Sequence, residues 1–220
     1  MRAVEPDSQL RGLFEEYEKA GGVVGYAIFE VEPPEEVDVD AHRRAAMLTV
    51  AKAMRRDQPW ELDDAAERPT AADLAAMSPV KISAQEFFGP LWAPTREVLI
   101  VHGRSDPFLN DYFYANDPET TRHVLDHLKS LPEIGTGYSY AFSDPPYRMH
   151  CSNQRLSELF VEINQQLFPY DLYAAGIEIY RWPTHFSSYF DAGDEWWGSF
   201  LWTVSWPGWR IVGLTASTTD

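Results

Sequence analysis

The last quarter of the chain alternates apolar and polar residues in a way that predicts a β-hairpin. Between residues 196 and 206, one alternating set is aromatic or aliphatic apart from Gly198: Trp196, Phe200, Trp202, Val204 and Trp206. The other set combines small hydroxyl side chains with Trp197 and Leu201. A repeat of two residues is that of a strand with one face buried, so the first set is expected to face the core. Pro207-Gly208 suits the centre of a tight turn, and residues 209–216 are expected to return antiparallel.

A two-residue turn fixes which residues of this hairpin face each other. If Trp206 faces Trp209, the predicted pairs are Val204 with Ile211, Trp202 with Gly213, and Phe200 with Thr215. The indole of Trp202 would then cover a glycine that has no side chain of its own. Aromatic cover of this kind stabilises weak positions in strands.

Other periodicities predict the remaining helices and strands. Apolar residues spaced three and four apart, with capping residues before them, predict helices over 8–20 and 118–131 and another beginning at Ser152 or Asn153. An alanine-rich segment predicts a further helix over 41–56. Strands are expected at 23–31, 138–142, 173–182 and 98–101, the last a candidate central strand because it lacks alternation. Helices come first and strands crowd the end. The chain is therefore expected to be a single α+β domain over 1–220, with helices flanking a mainly antiparallel sheet.

Charge and composition narrow the classes of partner. The chain has 220 residues and a formal net charge of −16. This charge repels phosphate backbones, so nucleic acid is a poor partner. A basic protein would instead be attracted to this surface, although acidity alone more often serves solubility than recognition. No segment approaches the roughly 20 apolar residues of a membrane span. The first residues lack an apolar run of signal-peptide length, so secretion through a cleaved leader is not expected. Cys151 is the only cysteine, which excludes an intrachain disulfide and fits a reducing cytoplasm.

Six of the eight tryptophans fall between residues 182 and 209, where they can serve a core or a binding surface. Indole is large and its N–H needs a partner when buried, yet tryptophan is also enriched at the centres of protein interfaces. Because the first alternating set is expected in the core, Trp197 and Trp209 are the candidates for an interface. Clustered aromatic rings can also line a ligand pocket, which leaves a small enzyme or ligand-binding domain as the alternative.

Asp191, Asp194 and Glu195 form an acidic cluster directly before Trp196-Trp197. Their spacing does not match a calcium loop, and an acidic turn between strands is usually solvated. Paired carboxylates can also act as acid and base. Electrostatic contact with a basic partner is the more natural use, since these acids would make a polar rim beside an aromatic residue.

The other candidates for chemistry are weak. His123 and His127 lie four residues apart on a predicted helix, but the residues between them lack the glutamate of a zinc-protease motif. A third metal ligand such as His102, His150 or His185 would have to be brought near them by the fold. Cys151 follows His150, and Asp144 is near in sequence, yet a lone cysteine more often packs than reacts. We therefore expect no catalytic residue, no metal site and no cofactor.

Three strings in the C-terminal quarter carry a resemblance: SSYFDAGDEWWG at 187–198, FLWTV at 200–204 and ASTTD at 216–220. They resemble the ends of small, uncharacterised bacterial cytoplasmic proteins. Those proteins are similar in size and acidity to immunity proteins that neutralise polymorphic toxins. The resemblance implies a non-enzymatic binding protein whose acidic, tryptophan-bearing surface occupies a basic toxin domain. It identifies no catalytic residue.

Overall fold

A computed structural model describes residues 1–33, 35–57, 77–102, 112–117, 134–168, 176–206 and 210–217. The chain forms two compact units. The first comprises Met1–Pro6, Val24–Ser83 and Leu172–Asp220, and the second Asp7–Val23 and Ala84–Asp171. Helices occur together with mainly antiparallel sheets, which confirms the α+β fold class. The single-domain organisation stays a prediction.

Helices and strands are interspersed along the described part of the chain. The helices are α1 (Ser8–Lys19), α2 (Val39–Asp57), α3 (Ala84–Phe88), α4 (Tyr138–Ser143), α5 (Asn153–Leu167) and α6 (Asp191–Trp196). The strands are β1 (Arg2–Val4), β2 (Gly25–Glu30), β3 (Val80–Lys81), β4 (Trp92–Ala93), β5 (Val98–His102), β6 (Tyr112–Tyr114), β7 (Glu178–Arg181), β8 (Phe200–Trp206) and β9 (Arg210–Ala216). None of the described helices combines the length and apolar character needed to cross a membrane.

The first unit is built on a six-stranded sheet in the order β1-β2-β9-β8-β7-β3, with every neighbouring pair antiparallel. Helix α2 packs on one face of this sheet. Its small buried residues, such as Ala41 and Ala45, lie against Ala27, Phe29 and Ile211. The Asp38 carboxylate accepts a hydrogen bond from the Ala41 N–H at 2.8 Å and thereby caps the start of the helix.

The C-terminal hairpin is present, but its register differs by one residue from the prediction. Trp206 pairs with Arg210, so three residues, not two, separate the paired ends. Trp202 consequently faces Leu214, and Gly213 faces Thr203. A shift of one residue moves a side chain to the opposite face of a strand. Gly213 therefore lies on the face covered by α2, and Trp202 lies on the opposite face.

Gly213 allows α2 to approach the sheet closely, because a methyl group at this position would overlap the Thr49 side chain. We expect Gly213→Ala to lower the free energy of unfolding by about 1 to 3 kcal/mol, as overpacking does in other cores. Gly12 is the matched control, since nothing lies within 4 Å of an added methyl there. Gly12→Ala should stabilise helix α1 by about 0.5 to 1 kcal/mol.

Urea denaturation of the two variants measures both effects. A cycle that adds Thr49→Ala tests the contact itself: Gly213→Ala should cost less in the Thr49→Ala background, by roughly 1 kcal/mol. Equal cost in both backgrounds would contradict the close approach.

The second unit combines helices with the three-stranded antiparallel sheet β4-β5-β6. Helix α1 begins after Asp7, which accepts a hydrogen bond from the Leu10 N–H, and α5 begins after Ser152, which accepts one from the Arg155 N–H. These caps confirm the two predicted helix starts. Strand β5 is buried and central, as expected, but it is central in this smaller sheet. Arg155 on α5 forms ion pairs with Glu16 on α1 and with Glu162.

The prediction of a strand at 138–142 is wrong, because these residues belong to helix α4. Tyr138 and Phe142 lie four residues apart, which places both rings on the same side of a helix. Both are wholly buried and contact the ring of Phe160 at centroid distances of 5.0 Å. Burial of these rings outweighs the β propensity of a short aromatic run. The predicted helix at 118–131 lies outside the described residues.

Candidate functional site

The acidic cluster lies in the first unit on α6, a short helix placed just before the central strand β8. A single 3₁₀ turn, Ser188–Phe190, precedes it. Tyr189 and Phe190 are buried in one cluster with Trp182, Leu201 and several α2 residues. This apolar contact fixes the inner side of the segment and leaves the outer side of α6 to solvent.

Two glycines allow α6 to lie close to the ends of the hairpin strands. A Cβ added to Gly193 would come within 2.5 Å of Ser217 Oγ and 2.6 Å of the Gly198 carbonyl oxygen, nearer than real Cβ atoms approach. The carbonyl of Gly193 accepts hydrogen bonds from the N–H groups of Trp197 and Gly198, which end the helix. Gly198 has a φ of 144°, a conformation that side chains other than hydrogen disfavour. The position of α6 is therefore set by the backbone contacts of these glycines.

The three carboxylates of the cluster share one face of α6. Asp191, Asp194 and Glu195 are all exposed, and their spacing of three and four residues makes them neighbours on a helix. Like charges at this spacing cost a few tenths of a kcal/mol. The Ser199 hydroxyl offsets part of this cost because it donates a hydrogen bond to the Asp194 carboxylate. The oxygen of Ser199 also lies 2.7 Å from the Thr184 hydroxyl oxygen.

Trp196 was predicted to lie in the core, and this prediction is wrong. The residue ends α6 instead of belonging to strand β8, and 76% of it is exposed. The alternation that predicted burial begins only at Phe200. We call the exposed residues Asp191, Asp194, Glu195 and Trp196 the α6 surface. It presents one large aromatic ring beside three carboxylates.

Trp197, one of the two predicted interface residues, is half-buried. Its ring meets that of Phe200 edge to face, with 5.3 Å between centroids. Phe200 in turn stacks on Trp202, also at 5.3 Å. Trp197 thus connects the α6 segment to the aromatic row of the sheet and presents only part of its ring to a partner. Trp209 lies outside the described residues.

A strongly perturbed titratable group among the described residues of the first unit is His42, in the core between α2 and the sheet. It is fully buried, and its two ring nitrogens lie 2.7 Å from the Thr203 hydroxyl and 2.9 Å from the Ser205 hydroxyl. Thr203 also accepts a hydrogen bond from the Trp182 indole N–H. Burial lowers the pKa of His42 to about 4. The imidazole is therefore neutral at pH 7 and stabilises the fold from a position that solvent does not reach.

The remaining candidates show no assembled chemistry. Within the described ranges, no group of three or more His, Cys, Asp or Glu residues could hold a metal ion. His150 and His185 are exposed, and the ring of His102 packs against Tyr112 at 4.9 Å. Burial and the neighbouring Glu16 raise the pKa of the Cys151 thiol, although Arg155 opposes them. His123 and His127 lie outside the described residues.

Comparison of the chain with protein-family models, curated proteins and solved structures gives no match. The assignment of function therefore depends on the geometry of the site. Two features of that geometry were not predicted from the sequence: the helix at 191–196 and the buried His42. The first had a signal, since acids at i, i+3 and i+4 share a helical face. His42 lies among alanines and methionines in α2, and no sequence signal distinguishes it from the five other histidines.

Proposed function

We propose that this chain is a non-enzymatic, acidic binding protein that uses the α6 surface to hold a basic region of a partner protein. The observation that carries the proposal is Trp196, a 76% exposed indole flanked by the exposed carboxylates of Asp194 and Glu195. Tryptophan is enriched among the residues that dominate binding energy, and charges at the rim guide association. Residues 182–209 contain no Lys or Arg, so the local charge has one sign.

The partner we propose is a basic toxin domain in the bacterial cytoplasm, which makes the chain an immunity protein. The support is the net charge of −16, the acidic face of α6 and the resemblance of the C-terminal strings. Binding of the α6 surface over a basic, substrate-binding cleft would block a toxin without any chemistry by this chain. Trp209 and the exposed part of Trp197 remain proposed contributors to the same interface.

The alternative function is a small enzyme or ligand-binding domain with an aromatic-lined pocket. The row of rings formed by Trp197, Phe200 and Trp202 is the observation in its favour. Two observations count against it. Trp202 is only 2% exposed, and His42, a described residue with a strongly lowered pKa, is fully buried. An active site needs a perturbed group within reach of a cleft.

The binding proposal predicts different kinetics for the aromatic and acidic parts of the α6 surface. Trp196→Ala should weaken binding of the basic partner by about 30-fold or more, mainly through faster dissociation, because truncating a central aromatic residue typically costs about 2 kcal/mol. The pair Asp194→Asn/Glu195→Gln should mainly slow association. Added salt should shrink that second effect, since exposed charges are screened within about 10 Å at 0.1 M.

The experiment captures partners from the native host with the tagged chain and then measures binding of the captured protein by surface plasmon resonance. Glu15→Gln/Glu18→Gln on α1 is the matched control, because it removes the same charge from exposed positions elsewhere. The proposal fails if the control slows association as much as the α6 pair does. It also fails if the captured proteins bind Trp196→Ala as tightly as they bind the unchanged chain.

A further inference from the structure

The outer side of α2 carries a row of side chains that the sheet does not contact. Arg44, Leu48, Lys52 and Arg55 are all exposed, and successive members lie four, four and three residues apart. This spacing aligns them on one side of the helix over about 16 Å. The buried residues of α2 lie on the opposite side, against the sheet. We call these four residues the basic stripe.

The basic stripe concentrates positive charge on a chain whose net charge is −16. Arg44 has an acidic neighbour, Glu35, at 3.6 Å. Lys52 and Arg55 take part in no ion pair with the residues that the structure describes. Leu48 is 49% exposed and lies one helical turn from Arg44 and from Lys52. One exposed leucine is ordinary, but this one is bracketed by cations at contact spacing.

This pattern favours an acidic protein segment over other anionic partners. The phosphates of a nucleic acid would bind the cationic side chains and leave Leu48 without an apolar contact. A membrane surface requires a broad apolar face, and the apolar face of α2 is already buried against the sheet. An amphipathic helix with carboxylates on either side of an apolar residue would use all four side chains.

The net charge also limits the size of such a partner. A strongly acidic protein is repelled at long range by the charge of the whole chain. Within about 10 Å the nearby cations dominate, so a partner succeeds when its acids are confined to a short segment. We propose that the basic stripe is a second docking surface, which binds a short acidic helix of another protein. This surface is independent of the α6 surface, and either can fail without the other.

The test measures binding of a fluorescein-labelled, helix-forming peptide in which glutamates flank a central leucine on one face. Fluorescence anisotropy with the full chain gives the Kd. Lys52→Glu/Arg55→Glu should raise the Kd roughly tenfold or more at low salt, and Leu48→Ala should raise it several-fold. Lys19→Glu/Arg148→Glu is the matched control, because it changes the net charge equally at exposed positions of the other unit. This control should change the Kd less than about twofold. Circular dichroism of each variant verifies folding.

Several results would overturn the proposal. They are no binding of the peptide to the unchanged chain, equal weakening by the two charge reversals, or tighter binding of a DNA duplex or of phosphatidylserine vesicles than of the peptide. Sedimentation of the chain at the same concentrations tests whether a second copy of the chain occupies the basic stripe. A dimer that Lys52→Glu/Arg55→Glu dissociates would assign the stripe to self-association instead.

The chain's own acidic residues at 58–76 are the last competing occupant. They include Glu61, Asp63, Asp64 and Glu67. Replacing these four by Gln or Asn should leave the peptide Kd unchanged beyond the small general effect of net charge. A gain in affinity of tenfold or more would assign the stripe to this segment and refute binding of a partner.

Discussion

Replacing Trp202 by alanine is expected to lower the free energy of unfolding by about 3 to 5 kcal/mol, the usual cost of removing a large aromatic ring from a core. Trp202 is 2% exposed, stacks on Phe200 and sits in β8 opposite Leu214, in the middle of the six-stranded sheet. Truncation would leave a cavity that paired backbone on both sides keeps from collapsing. Urea denaturation at pH 7 measures the change.

Trp196→Ala is the matched control for this experiment, because it removes the same side chain six residues away. Trp196 is 76% exposed, so its loss should change the free energy of unfolding by no more than about 0.5 kcal/mol. Comparable destabilisation by the two variants would contradict the placement of Trp196 at the surface. The same pair of variants separates stability from binding, since only Trp196 belongs to the α6 surface.

Acidification is expected to weaken the fold through His42. The folded pKa is about 4, below the ordinary value of 6.5, so the unfolded chain binds a proton more readily than the folded one. The stabilisation from neutral His42 is complete above pH 6.5 and is lost as the pH falls toward 4. Between pH 7 and pH 5 we expect a loss of about 2 kcal/mol from this residue.

The groups that surround His42 set this behaviour. The hydroxyls of Thr203 and Ser205 face the ring nitrogens, and the ring of Tyr180 meets the imidazole edge-on at 4.7 Å. The acidic groups of Glu178 and Asp38 raise the pKa of His42, and Lys81 lowers it, but burial is the largest cause.

His42→Gln keeps an uncharged polar side chain, so the dependence of stability on pH should flatten by about 2 kcal/mol between pH 7 and pH 5. His185→Gln is the control, because His185 is exposed, and it should keep the slope of the unchanged chain. Equilibrium urea denaturation at pH 5, 6 and 7 gives the slopes. A His42→Gln variant with the slope of the unchanged chain would show that other groups account for the acid sensitivity.

Local sequence signals predicted the elements whose stability is largely local. Helices α1 and α5 have a capping residue and a single apolar side, and both begin where Asp7 and Ser152 indicate. The alternation over residues 200–206 predicted β8 because one period of two continues through the strand. Helix propensity, capping and apolar periodicity each depend on residues that are close together in the sequence. Their effects can therefore be predicted from the sequence alone.

The errors have tertiary causes. Helix α4 forms where an aromatic run favours a strand, because burial of Tyr138 and Phe142 decides the conformation. The hairpin register depends on whether Gly213 or Leu214 faces α2, which no residue of the hairpin encodes alone. Trp196 fitted the alternation by chance, since strand β8 begins only at Phe200. The exposed acids of the candidate site were found from sequence, but the helix that displays them and the burial of His42 needed the fold.

The order of the strands in the larger sheet has a consequence for how the protein is made. Strand β9 lies between β2 and β8, so residue 25 pairs with residue 215. During synthesis, the apolar strand β2 leaves the ribosome long before β9, the partner that covers its inner edge, has been translated. Contacts between residues so distant in sequence form slowly, and an apolar strand edge is prone to aggregation as long as it is unpaired. Completion of this sheet is therefore a late event, and one edge of β2 stays unpaired until residues 210–216 emerge.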